Sequence, residues 1–65
     1  MHSFIMLQLK HLNNILLERR MAFDEAIMRG TSFADVKKIY TEIKEIEKLI
    51  AERQVELLRT GLSED

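Results

Sequence analysis

The sequence predicts an all-α fold: an antiparallel two-helix hairpin that pairs into a four-helix bundle. Three observations carry this expectation. Two long stretches place apolar residues at helical spacing, proline is absent throughout, and one short segment, MRGTSFAD at 28–35, changes character between them. Apolar residues recurring every three or four positions mark one face of a helix, and proline, which breaks a helix from within, is missing from both stretches.

Helix one is expected over about residues 3–29. Ile5, Leu9, Leu12, Leu16, Phe23 and Ile27 follow one another at steps of four, three, four, seven and four. At ~100° per residue they form one stripe about 60° wide. Arg19 occupies the heptad position that this series skips, so the seam carries one polar break.

The turn is expected at 30–31. Gly30 suits the position just past a helix end, where the backbone becomes left-handed and a Cβ would be strained. Ser32, followed three residues later by Asp35, has the form of a capping box that opens the next helix.

Helix two is expected over about 32–60, with 61–65 as a frayed tail. Val36, Ile39, Ile43, Ile46, Ile50 and Leu57 step by three, four, three, four and seven, and Arg53 fills the gap in this second seam. Thr60-Gly61 is read as the stop. So short a break makes the helices antiparallel neighbours, pairing positions whose numbers sum to about 61. Phe23 then meets Ile39, Leu16 meets Ile46, Leu12 meets Ile50, and Ile5 meets Leu57. Arg19 falls opposite Glu42 as an intra-hairpin polar pair, whereas Arg53 falls beside Leu9 without a partner in the hairpin.

Apolar residues also lie off the seams. Leu7, Leu17, Met21 and Met28 lie within about 80° of one another, on the far side of helix one from its seam. Ile15, Ala22 and Ala26 occupy a third side, and helix two adds Phe33, Tyr40, Leu49, Val55 and Leu58. A helix apolar on more than one side must bury more than one side, and a chain of 65 residues has little capacity to do so alone. Leu7, Leu17, Met21, Met28, Phe33 and Tyr40 are therefore the expected partner-binding residues. The partner is a second copy, making a homodimer, or another helical protein.

Composition excludes several function classes. There are no cysteines, which removes disulfides and thiolate metal sites and accords with a reducing, cytoplasmic compartment. His2 and His11, nine residues apart, fall on opposite sides of a helix and cannot share a metal. No phosphate-binding glycine loop or nucleophile motif is present, so no enzyme activity, cofactor or metal is expected. Net charge is −1, without the basic excess of a nucleic-acid binder. A nucleic-acid role requires dimerisation to gather Lys37, Lys44 and Lys48 into one patch. The apolar run Phe4 to Leu7 is too short for a signal-peptide core, and nothing approaches the ~20 apolar residues of a membrane span.

Ile15, Arg19, Gly30, Val36 and Ile39 fall at spacings that resemble the small aspartyl-phosphate phosphatases of sporulation control, two-helix hairpins acting on phosphorylated response regulators. That family's Ser-Gln-Glu-Leu-Asp run aligns with Tyr40-Thr41-Glu42-Ile43-Lys44, where the glutamate is kept and the functional aspartate is replaced by Lys44. A lysine cannot take a carboxylate's part in promoting attack on an aspartyl phosphate. The resemblance implies the hairpin and, as an alternative function, a phosphatase-like response-regulator-binding protein that docks onto a four-helix phosphotransfer or regulator surface. Met28-Arg29-Gly30 resembles the end of the first helix in small co-chaperones of type III secretion needle subunits, which implies a short secreted helical subunit as partner. The residues themselves imply a non-enzymatic interaction module or regulator that presents helix faces.

Overall fold

The computed structural model describes the backbone of residues 2–63 and the side chains of 4–59. Helix α1 spans His2–Arg29 and helix α2 spans Phe33–Ser63. They lie against each other as a hairpin about 52 Å long and only 15 × 11 Å across.

The turn is built by hydrogen bonds that its sequence specifies. Gly30 has φ of 69°. Its N–H donates to the Ile27 carbonyl at 3.1 Å, and the Thr31 N–H donates to the Ala26 carbonyl at 3.0 Å. This is the Schellman arrangement, which satisfies two carbonyls that the end of α1 leaves unpaired. Ser32 then caps α2. Its Oγ accepts from the Asp35 N–H at 3.4 Å, and its carbonyl accepts the first helical bond from Val36 at 3.0 Å. Asp35 adds negative charge to the first turn of α2, where the helix dipole favours it.

The seam comes together largely as its spacing predicts. Leu16, Ile43 and Ile50 are buried at its centre, with Leu9, Leu12, Phe23, Ile39 and Ile46 packed against them. Ile5 is buried towards the other end, and Leu57 is half-buried.

Five expectations need correction. Ile27 is not in the seam but 55% exposed, and Ala26 is buried instead. The cause is the cap: Thr31 folds back over Ala26 to reach its carbonyl, so the returning chain covers that side of α1. Ile15 and Ala22, expected off the seam, are half-buried on the same side as Ala26. Helix α2 does not stop at Thr60-Gly61 but continues to Ser63. One glycine costs about 1 kcal/mol in a helix, and without a left-handed turn that does not end it. Residues 64 and 65 of the expected tail lie outside the described residues.

The charged contacts also differ from those expected. Arg19 forms no ion pair with Glu42. The link between the helices is made by the next residue, Arg20, whose guanidinium lies 2.9 Å from Glu47. Arg19 sits close to the seam direction, while Arg20 projects from the hairpin's side, where a long side chain reaches across without desolvating its charge. Arg53 does find a partner, Glu56, one turn along its own helix.

Candidate interaction surface

Helix periodicity and the cross-helix contacts set apart three surfaces of the hairpin, besides the outer side of α2 that carries Glu52, Val55 and Arg59. The first is aromatic. Phe23 from α1 and Tyr40 from α2 meet with ring centroids 6.3 Å apart and planes tilted by 48°, within the range of favourable aromatic pairs. With Phe33, Val36 and the stem of Lys37 they line a shallow groove near the turn. Arg20 and Glu47 bridge the helices on this same side. Eighteen residues make five full turns, so Ala51 lies in line with Phe33 and Leu58 in line with Tyr40. Met6 and Ile27, two heptads before Arg20 and one heptad after it, extend the surface along α1.

A chain of charged contacts runs across this side. The Lys44 ammonium lies 5.3 Å from the centre of the Tyr40 ring and 3.4 Å from the Glu47 carboxylate, which holds Arg20. The hydrogen bond from Arg20 is the main reason that the Glu47 carboxyl titrates below its ordinary range, and Lys44 adds to the effect. Lys44 in turn is held above the ordinary lysine range, first by its hydrogen bond to Glu47, then by the charge of Glu47 and by Tyr40.

The second surface is the outer side of α1, facing away from α2. It carries Leu7, Leu17, Met21 and Met28, of which Met28 is 86% exposed. Asp24, Glu25 and Arg29 flank the two methionines, and Arg29 is paired with Glu25 at 2.6 Å. The third surface, opposite the aromatic one, is lined by smaller or more polar groups. Ala22, Ala26 and Thr31 lie near the turn, while Gln8, His11, Leu49 and Arg53 lie further along.

All six residues singled out in the sequence are exposed, with Phe33 at 80%. They do not form one patch: Leu7, Leu17, Met21 and Met28 share the outer side of α1, while Phe33 and Tyr40 belong to the aromatic side. Sequence reasoning missed Met6 and Ile27 on the aromatic side and did not group Leu58 with Tyr40. The eighteen-residue spacing from Tyr40 to Leu58 carries that signal.

Among the described residues, no group of three His, Asp or Glu side chains converges to hold a metal ion. Likewise, no helix among them is long and apolar enough to cross a membrane. Comparison of the chain with protein-family models, curated proteins and solved structures finds no match.

Proposed function

We propose that the protein is a small non-enzymatic interaction module that completes its core by pairing with a second copy, the two hairpins forming a four-helix bundle. One observation carries this reading. Only five hydrophobic residues are buried among those described, and none below 2% exposure, while twelve large hydrophobic side chains are exposed. A helix that is apolar on more than one side needs a partner for each of those sides. A thin two-helix layer has no second side on which to bury these side chains, whereas a four-helix bundle supplies one.

Pairing through the aromatic side leaves the outer stripe of α1, Leu7, Leu17, Met21 and Met28, on the outside of the bundle. That stripe is the surface offered to a further helical partner, and its methionines suit an adaptable apolar contact. The cysteine-free composition suits a reducing, cytoplasmic setting.

Pairing is tested by thermal unfolding followed by circular dichroism at several protein concentrations. A folded dimer that unfolds to monomers has a midpoint that rises with concentration. A midpoint unchanged from about 2 to about 200 μM rejects the reading.

A further inference from the structure

We propose that the second copy seats antiparallel on the aromatic side, with the two-fold axis between Lys44 and Glu47; this rests on the self-pairing reading above. The exposed ridge of α2 on that side runs Phe33, Tyr40, Lys44, Glu47, Ala51, Leu58, in a stripe about 60° wide. Its steps are seven, four, three, four and seven, the same from either end. Two such ridges laid antiparallel therefore stay in register along their whole length.

The residues brought together are complementary at every step. Phe33 meets the partner's Leu58, apolar on apolar. Tyr40, the larger side chain, meets the partner's Ala51, the smaller, so the two ridges interlock. Lys44 meets the partner's Glu47, and Glu47 the partner's Lys44. A parallel seating of the same ridges sets Lys44 against Lys44 and Glu47 against Glu47, which like-charge repulsion disfavours.

Helix α1 supports the same register. The Phe23–Tyr40 contact sets the levels of the two helices, so Ile27 lies within about one turn of the level of Phe33 and Met6 within about one turn of that of Leu58. Antiparallel seating thus places Ile27 near the partner's Met6 and gathers Phe33, Ile27 and the partner's Leu58 and Met6 into one apolar layer at each end. Arg20, Glu47 and Lys44 from both copies form a polar layer in the middle. Such a layer selects one register and orientation over others that are equally apolar. Ile27 and Met6, 55% and 58% exposed in the hairpin, are thereby covered.

Single cysteines introduced into this cysteine-free chain test the seating. Phe33→Cys and Leu58→Cys variants are oxidised separately and as an equimolar mixture. In the antiparallel seating the two copies of position 33 are ~37 Å apart, from about 25 residues at ~1.5 Å rise. Neither variant then crosslinks to itself, and the mixture forms a disulfide-linked dimer. Lys44→Glu and Glu47→Lys provide a second readout. Each is expected to weaken self-pairing about tenfold, and their mixture to pair at least about tenfold more tightly than either alone.

Self-crosslinking of Phe33→Cys overturns the antiparallel register. So does a wild-type dimer in which no cysteine combination crosslinks and charge reversal changes nothing. Both results leave self-pairing standing. A wild-type chain that remains monomeric at all concentrations overturns self-pairing and the seating together.

Discussion

The Arg20 guanidinium and the Glu47 carboxylate meet at 2.9 Å across the two helices. They are 27 residues apart in the chain, and theirs is the ion pair that joins α1 to α2 among the described residues. It lies on the aromatic side, beside Lys44 and Tyr40, and favours the charged form of the Glu47 carboxyl.

Acid should loosen this link. Glu47 titrates below the ordinary glutamate value of about 4.3 because Arg20, and then Lys44, favour its charged form. The stabilisation is therefore present above the ordinary value and is lost as pH falls through the lowered one. Lys44 behaves in the opposite sense. Its raised value means that its share is present below about 10.4 and is lost only as pH rises through that raised value. Thermal midpoints of the wild type and Glu47→Gln, measured from neutral pH down to about 3, should converge on acidification.

The buried seam should be far less tolerant than the outer stripe. Leu16→Ala removes a side chain at the centre of the core and should cost about 2–5 kcal/mol. Met28→Ala, on the outer side of α1, should stay within about 0.5 kcal/mol. Urea unfolding of the two variants at one protein concentration checks the contrast.

Gly30 should resist replacement for conformational reasons alone. A Cβ there meets nothing within 4 Å, yet φ is +69°. Gly30→Ala is expected to cost about 1–2 kcal/mol, and Gly30→Asn less, because asparagine tolerates the left-handed region. The ranking Gly, Asn, Ala in urea midpoint is the expected result.

Ser32 should contribute as a helix cap of modest strength. Its Oγ accepts the Asp35 N–H at a long 3.4 Å, so Ser32→Ala belongs at the lower end of the usual range, about 0.5–1 kcal/mol. Ser32→Asp should keep the stability, again read from urea unfolding.

The fold was legible where local chemistry decides it. Heptad spacing identified both seams, and Gly30, Ser32 and Asp35 located the turn from short-range rules alone. The sequence was misleading where a choice depended on tertiary geometry. Ala26 and Ile27 are adjacent and both apolar, and only the path of Thr31 over Ala26 decides which is covered. Arg19 and Arg20 pose the same problem, settled by which side chain can span to α2 from the edge of the seam. At Gly61 a glycine that elsewhere stops a helix is carried through, because the stop lies in the left-handed conformation rather than in the residue. Of the candidate surface, the exposure of all six chosen side chains was legible. Their division between two sides was not, since it depends on how the hairpin closes.

Self-pairing is read out without any probe or substitution by sedimentation equilibrium across a range of protein concentrations. A reversible association to about twice the 7.7 kDa chain mass is expected, with helical content lost as the dimer dissociates. A fully helical, cooperatively folded species of single-chain mass at every concentration would contradict it.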